Sequence, residues 1–280
     1  MVTRISRNRA PNARRIARSA ANPRYVNPLA RAGLIARGVM YVIIGWIAVQ
    51  IAFGHSGHQA DQSGASRLVA STPVGAAALW LLVAGFAGLA LWRLSEAVYG
   101  GPGPDGRKAS TRAAAAFRVV VYGFLAFSLL KFALGLGAPP SSDKTSRDLT
   151  AAAMSHPGGA ALVGLAGVAL IAGGAFLAYQ AWSKEFLKDL RLAEMAPRTR
   201  RMVEVLGRIG GISRGTVFAA VGVFLLFAAV HSNPGQAKGI DAALRALAAT
   251  PAGPWLLAVV AVGLVTFGVY SFADARWRRL

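Results

Sequence analysis

The 280-residue chain contains no cysteine. That alone excludes disulfide scaffolds, thiol nucleophiles, cysteine-type zinc sites and cysteine-ligated iron–sulfur clusters. Acids are also scarce: 11 Asp and Glu stand against 31 Lys and Arg, a formal charge of +20. Only 15% of residues are charged, whereas 55% are hydrophobic. A soluble domain intersperses its charges. Here they gather between long apolar runs, the pattern of a multispanning membrane protein. Catalytic signatures are missing as well. There is no Walker loop, no HExxH, no dinucleotide fingerprint and no convincing Ser/His/Asp set, and the Gly-rich stretch Gly100–Gly106 reads as a flexible loop. The sequence predicts a protein that is not an enzyme and holds neither cofactor nor metal.

What is present is six apolar stretches of spanning length: Gly33–Phe53, Val74–Val98, Ala113–Gly137, Gly158–Trp182, Gly211–His231 and Pro254–Ala273. A helix needs about 20 such residues to cross a bilayer. The basic region before the first run is too long for a signal peptide, and no small-residue cleavage site follows, so this run reads as an uncleaved span. Loops on one side, together with both termini, carry 25 Lys and Arg, nine of them up to Arg37; the other side carries 6. The positive-inside rule puts both termini in the cytoplasm.

Successive pairs of spans share landmarks. An Arg opens each odd span with an aromatic four residues on (Arg37/Tyr41, Arg118/Tyr122, Arg214/Phe218) and a small residue eight on (Gly45, Ala126, Gly222). Pro-x-Gly opens each even span at Pro73–Gly75, Pro157–Gly159 and Pro251–Gly253. Thr72 and Thr250 precede two of these prolines as candidate N-caps. Nineteen residues after each Pro stands an aromatic (Trp92, Phe176, Tyr270), and 23 after it a polar residue (Glu96, Gln180, Asp274). Two spans per unit give all three units the same orientation, related by a pseudo-three-fold axis along the membrane normal. The expected fold is an all-α, six-span bundle of three parallel two-helix repeats. Residues 1–28 form a basic tail, and the repeats cover 29–106, 107–195 and 196–280.

These units resemble the bacterial membrane proteins of domain-of-unknown-function family 1206, built from three two-span repeats. The resemblance is carried by Ala32-Gly33-Leu34-Ile35-Ala36-Arg37-Gly38-Val39-Met40-Tyr41 with Gly45, by Arg214-Gly215-Thr216-Val217-Phe218, by Ala243-Leu244-Arg245-Ala246-Leu247 with Pro251-x-Gly253, and by Gly268–Arg276. It covers most of the chain from about Leu29. The middle unit departs, with Val119 in place of the Gly after Arg and Gln180 in place of the acid. As the family's name assigns no activity, the resemblance bears on fold and location and not on chemistry.

The landmarks nominate a set of residues. Arg37, Arg118 and Arg214 lie at the basic ends of odd spans, and Glu96, Gln180 and Asp274 at the same ends of even spans. Hairpin geometry makes these ends neighbours, within a unit or between adjacent ones, and predicts Arg37–Glu96 and Arg214–Asp274 ion pairs with a weaker Arg118–Gln180 pair. Such pairs serve either as a gate or as fasteners that fix helix pairing. Lys131 is the only charge well inside a span, about 20 Å along the helix from Arg118. It is either an intramembrane functional group or a snorkelling cation. Gln50 occupies the matching place in the first unit and Phe227 in the third. His55, His58, His156 and His231 fall near the opposite side without the companions a metal site needs.

Three short stretches beyond the odd spans, Ser66–Ala70, Leu149–Met154 and Ile240–Ala248, read as interfacial helices, with Asp148 and Asp241 near the starts of the last two. Segment Trp182–Arg208 reads as a cytoplasmic helix stopped at Pro197. The tail, with Arg14, Arg15 and Arg18, is expected to contact anionic lipid or a protein partner; no fold motif supports nucleic-acid binding. Two functions follow. One is an accessory or binding subunit of a larger membrane complex, or a lipid-organising protein. The other is a small permease or channel along the pseudo-three-fold axis. Few mid-span polar groups (Gln50, Ser128, Lys131, Thr266) favour the first.

Overall fold

A computed structural model describes residues 23–54, 57–100 and 108–279. Among them are nine α-helices: α1 (Pro23–Ala52), α2 (Gln62–Ala70), α3 (Gly75–Tyr99), α4 (Ala109–Ala133), α5 (Ser142–Met154), α6 (Gly159–Trp182), α7 (Pro197–Val230), α8 (Ile240–Ala248) and α9 (Gly253–Trp277). Helices α1, α3, α4, α6, α7 and α9 are long and apolar enough to cross a membrane. The chain is a multi-pass membrane protein of three two-span repeats, with a short helix (α2, α5 or α8) joining the spans of each repeat at the end away from the basic loops.

Pro-x-Gly is the turn from each short helix into the following span. The Gly75, Gly159 and Gly253 amides donate to the carbonyls of Thr72, His156 and Thr250 at 2.9, 3.0 and 2.8 Å. A Cβ on any of the three glycines would run into the last carbonyls of the short helix before it. Thr72 and Thr250 do not cap the spans as expected. Their hydroxyls donate backwards to Val69 and Leu247, closing α2 and α8, because the turn places them at the end of those helices.

The units are fastened to each other more tightly than they are folded on themselves. Each odd span packs against the even span of the preceding unit, cyclically: α4 on α3, α7 on α6, and α1 on α9. In the first and third units the small residues after the Arg make this possible. A Cβ on Gly38 would meet the Gly268 carbonyl at 2.9 Å, and one on Gly45 the Ala261 carbonyl at 2.9 Å; Gly215 and Gly222 face Gly174 and Gly167 in the same way. Without water to drive association, close backbone approach is what holds spans together.

Within a unit the contact is looser and uses a second pair of glycines. Gly33 abuts Gly85 in the first unit, while Gly210 abuts Phe267 and Gly263 abuts Ser213 in the third. By the repeat spacing, the middle unit has Ala114 and Ala169 at these places. Helices α4 and α6 do not pack together extensively. Among the described residues the bundle is therefore a ring with one unclosed seam. Only 11% of the α4 span and 17% of the α6 span is buried, against 56% of α1. Gly123 on α4 and Gly173 on α6 face open space.

The end with the short helices is closed by a three-fold exchange. Asp61 accepts from the Ser142 amide at 2.7 Å, Asp143 from the Gly239 amide at 2.8 Å, and Asp241 from the Ala60 amide at 2.8 Å. Each carboxylate thus binds the chain entering the next unit's short helix. Asp148, expected at the start of α5, is instead exposed and 3.7 Å from Lys144, because α5 begins earlier, at Ser142.

At the basic end the segment after α6 is not the helix expected over Trp182–Arg208. It forms two 3-10 turns, Glu185–Asp189 and Leu192–Glu194, and Pro197 starts α7 instead of stopping a helix. Proline suits a first helical turn, where its missing N–H costs nothing. The segment clamps the C-terminus: the Arg191 amide donates to the Trp277 carbonyl and the Arg279 amide to the Asp189 carbonyl. Leu190, fully buried, and Val203, Phe267 and Tyr270 form a second small core beneath this clamp.

Candidate functional site

The repeat's arginines and polar residues gather at the basic end, but the pairing differs from the expectation. Arg37 Nη2 donates to Asp274 Oδ2 at 2.9 Å, and its Nε to Ser271 Oγ at 3.2 Å. Asp274 is 1% exposed and also accepts from Arg278 at 2.9 Å. Glu96 binds neither Arg37 nor Arg118; it takes Arg93, three residues earlier on its own helix. The Arg37–Glu96 and Arg214–Asp274 pairs are replaced by Arg37–Asp274 because the tight helix contact crosses between units. The Arg118–Gln180 pair is absent because α4 and α6 stand apart.

By the repeat spacing the place of Asp274 in the preceding unit is taken by the neutral Gln180, and Arg214 makes no ion pair among the described residues. Its guanidinium lies over the rings of Tyr41, Phe218 and Phe267 at 6.0, 5.3 and 5.1 Å, and its buried Nε has no hydrogen-bond partner. Phe267 lies between two cations, since Arg37 is 5.3 Å from its centroid. A guanidinium over aromatic faces is attracted by their quadrupoles, but its N–H donors are not satisfied by them.

Arg118 is exposed in the seam and makes no hydrogen bond or ion pair among the described residues. Tyr122, one turn further along α4, lies within electrostatic range of Arg37, Arg93, Arg118 and Arg214. It also contacts Phe86 of α3 across 6.3 Å. The site is thus a basic cluster around one tyrosine, with two guanidinia matched to carboxylates and two without.

A narrow cavity lies between α1, α7 and α9. The cavity there is about 20 Å³, bounded by Ile44, Val217, Ile240 and Leu264, with Gln62 towards the short helices and Tyr41 and Arg214 towards the basic end. That is room for about one water molecule.

The other nominated residues lie apart from this cluster. Lys131 is exposed in the last turn of α4, and Gln50 is half-buried near the end of α1. His156 and His231 face the carbonyls of Ala152 and Phe227 on their own helices. Arg14, Arg15, Arg18, His55 and the Gly101–Gly106 loop lie outside the described residues. Among the described residues no group of three or more His, Asp or Glu is arranged to hold a metal ion. Arg93, Arg278 and Tyr122 were not singled out as charge partners from the sequence. Their signal was the helical spacing: Arg93 stands three before Glu96, Arg278 four after Asp274, and Tyr122 four after Arg118.

The family described as Domain of Unknown Function (DUF1206) matches the chain three times, over residues 32–100, 113–184 and 209–278. The chain is 29% identical over 258 residues to a Bacillus subtilis (strain 168) protein named Uncharacterized protein YxxB, which covers 91% of this chain and 92% of that protein. No solved structure matches.

Proposed function

We propose, for a chain that belongs to the DUF1206 family, a non-catalytic role: a binding protein of the bacterial inner membrane that receives a bilayer-resident ligand at the seam between α4 and α6. In this reading the end carrying the termini and the arginines faces the cytoplasm, following the 25-to-6 distribution of Lys and Arg. The observation that carries the reading is the seam itself. Two spans of one repeat are separated where the other repeats close, and their faces expose Phe117 and Phe176, whose counterparts Ala36, Ser213, Trp92 and Tyr270 are buried. Such faces suit an acyl chain, which enters sideways from the bilayer and needs no polar lining.

A permease along the pseudo-three-fold axis is the weaker reading. The cavity among α1, α7 and α9 is about 20 Å³, with mostly apolar walls, and offers such a path little room. A polar solute would lose its hydration there with little to replace it.

The test is to extract native membranes in mild detergent, isolate the protein and identify what comes with it by mass spectrometry. A retained lipid or apolar small molecule is the expected outcome. A stoichiometric protein partner would move the function to an accessory subunit. A bare protein that conducts solute after reconstitution would overturn the binding reading.

A further inference from the structure

The carboxylates of this protein are almost all committed. Of its 11 acidic residues, only Asp105 lies outside the described residues. Asp274 holds Arg37 and Arg278, Glu96 holds Arg93, and Glu204 holds Lys184. Glu185, Asp189 and Glu194 are engaged in the clamp, and Asp148 and Asp241 by Lys144 and Arg245. Asp61 and Asp143 accept backbone amides at the far end.

Among the described residues Arg118 and Arg214 are left without an anion, although they are close enough to act on each other and both act on Tyr122. Gathering like charges beside a low-dielectric bundle is unfavourable unless something negative joins them. The depth is suitable for a headgroup. Arg118 is 15 residues from the far end of α4, and Arg214 is 16 from that of α7. At the helical rise these are about 22–24 Å, which sets the guanidinia towards the basic edge of a ~30 Å hydrocarbon core. The seam beside them opens to the bilayer.

We propose that the basic end of the α4–α6 seam is a phosphate-recognition site, in which the exposed Arg118 guanidinium binds the phosphate of an anionic glycerophospholipid headgroup, with Tyr122 one turn further along α4 and the positive charge of Arg214 on α7 behind it. This rests on the binding reading above and adds its chemistry. The guanidinium donors that find no acceptor among the described residues point to phosphate oxygens, which guanidinium groups bind in a fork geometry. The acyl chains lie along the exposed faces of α4 and α6. The third repeat arginine, Arg37, is already neutralised by Asp274 and serves as the fixed wall of the site.

The experiment uses the full chain in a non-ionic detergent and measures binding by native mass spectrometry. The probes are dioctanoyl phosphatidylglycerol, neutral dioctanoylglycerol and soluble glycerol 1-phosphate. We expect one phosphatidylglycerol per chain, bound more tightly than dioctanoylglycerol. Arg118→Gln should weaken it about tenfold, the loss of a charge-assisted hydrogen bond. Arg118 is exposed, so this variant should fold; the unfolding temperature confirms it. Lys131→Gln, at the far end of α4, should leave binding unchanged. Competition by glycerol 1-phosphate would support phosphate recognition and identify a soluble compound as the ligand; no competition identifies the lipid. Equal binding of dioctanoylglycerol would overturn the phosphate site and leave the lipid-binding reading intact. An unaffected Arg118→Gln variant, or an equal loss in Lys131→Gln, would also overturn it. If neither lipid binds a folded chain, the binding reading falls with it.

Discussion

Gly174 of α6 and Gly215 of α7 face each other so closely that a methyl group on either would lie 2.5 Å from the carbonyl oxygen of the other. Neither position can take a side chain without moving a helix. Gly215→Ala or Gly174→Ala should each destabilise the protein by about 1–3 kcal/mol, the usual effect of overpacking. Gly123→Ala and Gly173→Ala, whose new methyls meet nothing within 4 Å, should be neutral or stabilising by up to about 1 kcal/mol through helix propensity. Thermal unfolding in one detergent checks all four. Equal losses in both pairs would count against the α6–α7 contact.

Asp274 neutralises two cations from different elements, Arg37 and Arg278. Asp274→Ala should cost about 3–5 kcal/mol, because a buried guanidinium is left without its partner. The double change Arg37→Met with Asp274→Leu should recover part of that loss, as the apolar pair needs no neutralisation. Unfolding temperatures of the single and double variants decide it. A double variant no better than Asp274→Ala would show that the pair is not what stabilises the α1–α9 contact.

Burial raises the pKa of Asp143 above the ordinary carboxylate value, Asp241 and Asp61 nearby add to the rise, and the amides of Ala242 and Gly239 partly offset it. A carboxyl whose folded pKa lies above its unfolded one binds more protons when folded in the interval between the two. Its contribution to stability therefore grows as pH falls through the folded pKa and shrinks as pH rises through it. Amide exchange at Gly239 and Ala242, referenced to intrinsic rates, should slow as pH drops through that interval, and Asp143→Asn should flatten the response. A response of the opposite sign would contradict the assignment.

Because the natural chain has no cysteine, single cysteines report topology cleanly. Ser155→Cys in the turn between α5 and α6 and Ser183→Cys just after α6 are both exposed positions at opposite ends of one span. An impermeant maleimide applied to intact spheroplasts should label Ser155→Cys and spare Ser183→Cys until the membrane is opened. Labelling in the reverse order would invert the proposed orientation.

The six spans and their three-fold order were legible because hydropathy and the Arg, Pro-x-Gly and polar landmarks recur at nearly constant spacing. Pairing was not legible. Nothing in the spacing from Arg37 says whether its carboxylate comes from Glu96 on the next span or Asp274 on the last, since both sit at the same depth. The deciding feature was the two glycine sets. Gly38 and Gly45 favour the neighbouring unit and Gly33 its own, and only packing separates those roles. The same distinction explains the seam: Ala114 and Ala169 are ordinary small residues in a sequence, and only beside Gly33 and Gly85 do they mark a contact that does not close. The carboxylate exchange at the far end is not legible in the sequence because Asp61, Asp143 and Asp241 lie 12, 14 and 10 residues before their prolines. Short connections vary in length even where the contacts they make are equivalent.

The Arg37–Asp274 contact joins residues 237 apart in the chain, and synthesis runs in one direction. At roughly 5–20 residues per second, Arg37 is made about 12–47 seconds before its carboxylate exists. Until α9 is inserted, α1 has to hold its arginine at the lipid boundary, beside headgroups or the insertion machinery, and the ring has neither of the walls that α9 supplies. Assembly of this protein therefore waits on its final span. A ribosome stalled or a chain truncated before residue 274 leaves an arginine exposed for quality control to find.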